Sequence, residues 1–500
     1  MSAARLDLVL VNPGSRTTIY QALGAELAAI EPPVWAALMA TYARTRGLSV
    51  AVLDANAEDL APEETAARIA EMDPRLAAVV VYGHNPSAST QVMPSASAIC
   101  RAIAACEPAR ATVLVGGHAA ALPERTLREE AATFVAAGEG VVTLVELVEC
   151  LRAGGEDLGK VRGLWYRDGE RATVTPPAPL VKDLDAEMSG MAWDLLPMAR
   201  YRAHNWHCFG DLARQPYAAL YTTLGCPYHC TFCCIQAPFR DGEGVLGIKA
   251  GVNSYRFWSV ARVVDELEML ATRYGVRNVK IADEMFVLNP KHVLGIADGI
   301  AERGLDLNIW AYARVDTVRE GMLERLRRGG VRWLAFGIEA ASERVRDDVA
   351  KGFDEQDALR TMARVREAGV HVVANYIFGL PEDDETSMQA TLDLALTLNT
   401  AYANFYCAMA YPGSALYETA LREGWPLPAS WSGYSQHAVD TLPLPTRHLS
   451  AREVLTFRDH AFQVYATHPA YLAMIERTFG AATVEHVRAM TAHRLVRQHA

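Results

Sequence analysis

The sequence predicts an α/β protein: an amino-terminal doubly wound, Rossmann-like domain, then a partial (β/α)6 barrel, then a helical carboxyl-terminal region. Three observations carry this. The first ~150 residues alternate short apolar runs with helical spacing. A second such alternation begins near Tyr217 and repeats six times. From Ser450 onward the spacing is helical with no strand signal. The expected boundaries are 1–150, 151–215 for a connector, 216–430 and 431–500.

In the first unit, Leu6–Val11, Ser49–Leu53, Ala77–Tyr82, Thr112–Val115 and Thr133–Ala136 read as buried parallel strands. Val34–Arg46 and Pro62–Ala70 have helical spacing. The loops after the strands, Asn12-Pro-Gly-Ser-Arg, Gly83-His-Asn-Pro-Ser, Gly116-Gly-His and Gly138-Glu-Gly, then share the sheet edge where ligands bind. In the connector, Val161–Arg171 reads as a hairpin turning at Asp168-Gly169, and the segment after it as an extended strap. Barrel strands are expected at Ala218–Thr223, Asn278–Ile281, Leu307–Ala311, Trp333–Gly337, His371–Phe378 and Asn404–Met409. Amphipathic helices at Ser259–Tyr274, Pro290–Arg303 and Asp354–Ala368 alternate with them. Chemistry belongs at the carboxyl-terminal mouth of such a barrel.

A formal charge of −11 disfavours a large nucleic-acid footprint, so no nucleic acid is expected as a partner. No run approaches the ~18 apolar residues of a membrane span, and no signal peptide precedes the first strand, which points to the cytoplasm. Four of the nine cysteines fall between Cys226 and Cys234. In a reducing compartment such a cluster reads as metal-binding. Cys226, Cys230 and Cys233 form C-x3-C-x2-C directly after a strand. Three thiolates on one loop suit three irons of a cubane and leave the fourth iron open. A structural zinc site is the plainer alternative, but it usually wants four ligands, and no second cysteine pair follows. Cys234 and His229 read as loop or packing residues.

At this point the chain resembles the radical S-adenosylmethionine superfamily, whose signature is C-x3-C-x-aromatic-C, with Phe232 as the aromatic. The resemblance implies a [4Fe-4S] cluster and S-adenosylmethionine as cofactors, and a 5′-deoxyadenosyl radical. It places S-adenosylmethionine against Asp283 and Glu284 after the second barrel strand, Arg314 after the third and Glu339 after the fourth. Asn375-Tyr-Ile-Phe-Gly-Leu-Pro-Glu, with Ile377 and Gly379, resembles the fifth-strand adenine motif, with Asn375 in place of its first glycine. Tyr411-Pro-Gly-Ser resembles the sixth-strand terminus.

Gly116-Gly-His and Ala137-Gly-Glu-Gly, with Glu31-Pro-Pro-Val-Trp and Leu53-Asp-Ala-Asn, resemble the cobalamin-binding domain that precedes many of these enzymes. The resemblance implies cobalamin contacts from Ser87, Gly116, Gly117, His118, Gly138 and Glu139. The mutase motif Asp-x-His-x-x-Gly is absent. His118 therefore reads either as a residue facing the corrin or as a loop histidine bonded to backbone.

With both cofactors the expected reaction is methylation of an unactivated carbon or phosphorus centre of a small organic metabolite, by way of methylcobalamin. A low-potential donor such as flavodoxin or ferredoxin is implied. The competing expectations are dehydration, cyclisation or rearrangement by hydrogen abstraction alone, methylthiolation of transfer RNA, and a non-enzymatic cofactor-binding role. Methylthiolation would need three further amino-terminal cysteines and a basic carboxyl-terminal module. Trp193, Trp206 and His207 read either as cavity lining or as packing. His437, His448, His460 and His468 read as surface or packing residues. The tail from Ser450 is expected to close the barrel mouth.

Overall fold

In the computed structural model, strands of three to nine residues build a mixed, largely parallel sheet of seven strands and a parallel sheet of six, each wrapped by helices. It describes residues 5–500 except 15, 22–23, 25–26, 84, 86 and 211. Ser15, His84 and Pro86 of the predicted loops thus lie outside the described residues.

The first sheet holds β1 (Leu8–Asn12), β2 (Val50–Asp54), β3 (Leu76–Val80), β4 (Thr112–Val115), β5 (Phe134–Ala136), β6 (Leu164–Asp168) and β7 (Arg171–Val174), in the order β2-β1-β3-β4-β5-β6-β7. β1 to β5 are parallel, with fully buried runs such as Val9 to Val11 and Ala77 to Val79, as a sheet covered on both faces requires. The predicted hairpin forms, but it is not part of a free connector. β6 pairs antiparallel with β5, Tyr166 opposite Phe134, so the sheet runs past residue 150 to Val174. Turn chemistry was legible in the chain, whereas the edge on which the hairpin docks was not.

The helix Val34–Arg44 buries Trp35 to Ala40, Tyr42 and Ala43, nearly its whole circumference. Its alanines permit this, because the helix is wedged between the first sheet, the connector and the barrel. The amide of Ala192 donates to the Ala37 carbonyl, and Trp35 lies near Tyr221 and Phe239.

The second sheet contains β8 (Tyr217–Leu220), β11 (Asn278–Ile281), β12 (Asn308–Ala313), β13 (Val331–Glu339), β14 (His371–Phe378) and β15 (Tyr402–Cys407), all parallel and in chain order. β9 (Thr223–Leu224) and β10 (Arg256–Phe257) form a short antiparallel pair beside the mouth. The crossover helices start where the sequence caps them. Ser259 accepts from the Arg262 amide, Asn289 from Lys291 and His292, and Asp384 from Ser387.

Aromatic rings close the base of the barrel. Trp206 packs on Trp310, Trp333 and Tyr402 at ring separations of 5.3–5.7 Å, and Phe479 stacks on Trp333. His207 meets the Asn308 carbonyl through Nε2 at 2.9 Å. These connector residues are packing, and so is Trp193, whose indole donates to Glu266.

The tail helices Ala451–Thr467, Pro469–Phe479 and Ala481–Ala492 do not close the mouth. They pack along β14 and β15 and at the base: Phe457 contacts Phe378, Tyr465 contacts Phe405, and Arg458 donates to the Phe405 carbonyl. The mouth is flanked instead by the segment before them, where Gln436 brackets Cys407 and Trp431 reaches His118. Among the described residues no helix is long and apolar enough to cross a membrane.

Candidate active site between the two sheets

The carboxyl edges of the two sheets face each other across a cavity of about 550 Å³. One wall is amino-terminal: Trp35, Tyr82, Asn85, Ser89, Thr90, Gly117 and His118. The other is the barrel mouth: Tyr221, Thr223 to Gly225, Cys234, Ile235, Phe239 and Glu284. Trp35 and Tyr82 stack at 4.2 Å and 14°, giving a broad, flat, largely apolar surface.

The cysteine loop leaves β9 at Gly225, where φ is +88° and a Cβ would strike the Ser254 carbonyl at 2.2 Å. The Cys226 amide is held by Gln236, and the Cys226 and Tyr228 carbonyls by Asn253. Cys226 is buried and its thiol is pushed up to about 11 by burial; Cys230 and Cys233 are half-buried. All three are unoxidised thiols, and among the described residues no three metal-binding side chains converge on one point. His229 is exposed, while Cys234 lines the cavity opposite Gly117 and His118 of the first domain. The loop therefore faces the first domain across the cavity.

Around it the predicted polar residues divide. Arg314 lies 4.0 Å from the Cys230 sulfur, over the Tyr228 ring at 4.1 Å, and is held by Asp316 at 3.0 Å. The guanidinium thus sets a positive charge beside the cysteine loop. Glu339 has a left-handed φ of +62° at a register shift in β13 and is bonded by the buried Lys351 at 2.7 Å. Lys351 follows Ala350, whose carbonyl contacts the Cys230 sulfur at 3.8 Å. Phe232 packs against the apolar group of Ala340, Val349 and Leu380, beside Ile377. The left-handed Gly379 makes room for Val454, which a Cβ would meet at 2.4 Å.

Asp283 and Glu284 differ. Asp283 is fully buried and spent on the Thr222 amide and hydroxyl, with its carboxyl raised to about 6 by burial. Glu284 faces the cavity, and burial raises it to about 7. Only the second carboxylate faces a ligand space.

On the opposite wall, Gly116 (φ +148°) is dictated by the fold: a Cβ would strike the Val81 carbonyl carbon at 2.4 Å. Ser89 accepts from the His118 amide, and His118 Nδ1 lies 3.2 Å from the Thr90 hydroxyl with its ring edge on Trp431. Burial lowers His118 to about 3, so it is a neutral imidazole. Gly138 is open, with only the Pro238 carbonyl nearby at 3.8 Å. Glu139, expected at a ligand, is consumed by the barrel: it accepts from Arg256 at 2.8 Å and from the Val181 amide at 3.0 Å. It ties the first domain to β10, which pairs with β9 just ahead of the cysteine loop.

Residue types alone did not reveal Lys351, Arg256 or Tyr221. Arg256 and Tyr221 meet partners far away in the chain, Glu139 and Trp35, and Lys351 reaches Glu339 only because β13 ends where the chain turns back beside the cysteine loop. Trp35 was within reach, lying in the quoted Glu31-Pro-Pro-Val-Trp segment.

Two family models match the chain: the Radical SAM superfamily over residues 220–395 and the B12 binding domain over residues 20–148. An uncharacterized methyltransferase of Pyrococcus horikoshii is 28% identical over 93% of this chain and 94% of its own. The anaerobic magnesium-protoporphyrin IX monomethyl ester cyclase of Cereibacter sphaeroides is 25% identical over 83% of this chain and 63% of its own. Two solved structures share the fold. The radical S-adenosylmethionine methyltransferase TsrM of Kitasatospora setae, with cobalamin and a [4Fe-4S] cluster bound, has a TM-score of 0.66 at 18% identity, covering 93% of this chain and 90% of that one. The cobalamin-dependent radical enzyme OxsB has a TM-score of 0.70 at 13% identity, covering 98% and 72%. The chain is an enzyme of the radical S-adenosylmethionine superfamily that carries an amino-terminal B12-binding domain.

Proposed function

We propose that this protein methylates a carbon or phosphorus centre of a small organic molecule held between its two domains. One observation carries the reading: the Gly117–His118 face of the B12-binding domain and the cysteine loop of the barrel line the same cavity. When bound, the cluster with S-adenosylmethionine supplies a carbon radical, and cobalamin supplies a transferable methyl group.

The residues do the rest. Cys226, Cys230 and Cys233 are the cluster ligands in this proposal, with the Arg314 guanidinium beside Cys230. Glu284 is the carboxylate open to an amino group, and Glu339 is held by Lys351 for hydrogen bonding. Phe232, Ile377 and Gly379 line the nucleoside side. Ser87, Gly117, His118 and Gly138 face the corrin; Gly116 shapes their loop and Glu139 anchors it. Trp35, Tyr82 and Tyr221 exclude water, which suits radical chemistry. The one-electron reductant would be a flavodoxin or ferredoxin.

The test is anaerobic purification from cells supplied with hydroxocobalamin, with cobalt and iron assayed. About four irons and one cobalt per chain support the proposal, and a deuterated methyl from labelled S-adenosylmethionine should then appear in product. Iron without cobalt would overturn it. Cyclisation is the second reading, favoured by the cyclase among the relatives. Turnover with no label in the product would select it.

A further inference from the structure

A second cavity, of about 660 Å³, opens at the carboxyl ends of the first three strands and shares none of its lining with the first. It includes Asn12, Arg16, Glu31, Asn56, Gln91 and His204. Arg16 is the unusual member. Its Nε and Nη1 are buried and have no hydrogen-bond partner. Its single ion pair among the described residues is Nη2 to Asp59 at 3.3 Å, and Asp59 is 75% exposed against 14% for Arg16. A screened contact of that kind contributes little, whereas two unspent guanidinium donors out of water carry a real cost. Gly24 closes over the side chain: a Cβ there would come within 3.2 Å of Arg16 Cγ.

The other charge in the cavity does not answer Arg16. Glu31 is already bonded by Lys280 at 2.8 Å and approached by His204 at 3.5 Å. Among the described residues Arg16 therefore faces the space with Nε and Nη1 unspent, its one carboxylate partner being the exposed Asp59 on Nη2. The two cavities flank one loop: Asn85, Ser89 and Thr90 face the first, Gly83 and Gln91 the second. A ligand seated in the first cavity that carries a charged arm would round this loop to reach Arg16.

The geometry points to a second subsite in which Arg16 binds an anionic oxygen group, a phosphate or carboxylate. Guanidinium is the side chain best matched to either anion. Two sources fit: the phosphodiester in the nucleotide tail of cobalamin, or an anionic group of the substrate. The subsite goes beyond methyl transfer and does not require that reading.

The experiment titrates inorganic phosphate, followed by phosphorus NMR, and separately hydroxocobalamin and cobinamide, which lacks the nucleotide tail, followed by visible spectra. Wild type, Arg16→Gln and Asp59→Asn are compared in phosphate-free buffer, with circular dichroism confirming the fold. Arg16→Gln should weaken phosphate binding about tenfold or more, a loss expected of a charge-assisted contact. Asp59→Asn, tolerated at its left-handed φ of +58°, should bind phosphate as tightly as wild type or tighter. If Arg16→Gln also loses cobalamin affinity while cobinamide is unchanged, the anion is the cofactor's. If cobalamin binding is unchanged, the anion belongs to the substrate. Should Arg16→Gln not fold, Arg16→Lys, which keeps charge but loses the fork, takes its place. Equal phosphate and cobalamin affinity in wild type and Arg16 variants would overturn the subsite. Wild type that takes phosphate but no cobalamin would overturn the methyl-transfer reading and leave the subsite standing.

Discussion

The carboxyl edges of the two sheets are built on opposite principles. On the barrel side, polar groups are tied to one another before any ligand arrives: Asp283 to Thr222, Arg314 to Asp316, Glu339 to Lys351. On the B12-binding side the wall is a stacked Trp35–Tyr82 pair and a neutral His118. Charged small groups need donors fixed in advance, because reorganising them in a dry site is costly. A flat macrocycle needs area, which aromatic rings supply. The two sheet edges therefore offer different kinds of surface, although both are the carboxyl ends of parallel strands.

The largest expected effect breaks the barrel side. Alanine at Cys226, Cys230 or Cys233 should abolish bound iron and its visible absorption, whereas Cys234→Ala, on the cavity wall, should retain both. Iron loss in Cys234→Ala would move the cluster toward the first domain.

Next come the ties. Lys351→Met strands a buried Glu339 carboxylate, and Arg256→Met strands Glu139, whose side chain is 2% exposed. Each should cost about 3–5 kcal/mol in urea unfolding. The comparison would sharpen if Arg256→Met also loosened cobalamin while Lys351→Met did not.

A smaller effect separates the two adjacent carboxyls. Burial raises Glu284 to about 7 from an ordinary 4.5. A raised acid gives stability that is complete below pH 4.5 and is lost as pH rises toward 7. Apo Glu284→Gln should therefore be more stable than wild type at pH 8, by about 2 kcal/mol, with the advantage gone near pH 4.5. Thermal melts across that range check it; equal melting temperatures at pH 8 would mean Glu284 is solvated.

The smallest concerns the apolar wall. Trp431→Ala uncovers the edge of His118, so its pKa should climb from about 3 toward the ordinary histidine range. An imidazole NMR titration reads this directly. No change would show that Thr90 and Ser89, not Trp431, keep His118 dry.

Much of this arrangement was legible in the chain. Cys226, Cys230 and Cys233 lie within eight residues, so their ligand spacing is local. Strand cores such as Thr112–Val115, Asn278–Ile281 and His371–Phe378 were read to the residue, because short β-branched and apolar stretches bounded by turns leave few alternatives. The chain alone did not show the partners that were remote. Glu139 read as a ligand contact and is bound to Arg256, 117 positions away. Gly116 read as space for a ligand, yet is required by Val81. The tail read as a cap on the mouth and lies along β14, β15 and the base, since amphipathic spacing says that a face is buried but not against what.

By itself, the sequence determined the alternation of elements, the cysteine loop and the order of strand ends, all set by period, turn residues and short spacings. Only the tertiary structure decided which carboxylate of the Asp283–Glu284 pair opens to the cavity, which charges are spent between domains, and that Arg16 is left with donors to give. Those outcomes depend on burial and on partners hundreds of residues apart, as in Glu31 with Lys280. Burial and pairing are properties of the packed chain, not of any segment of it.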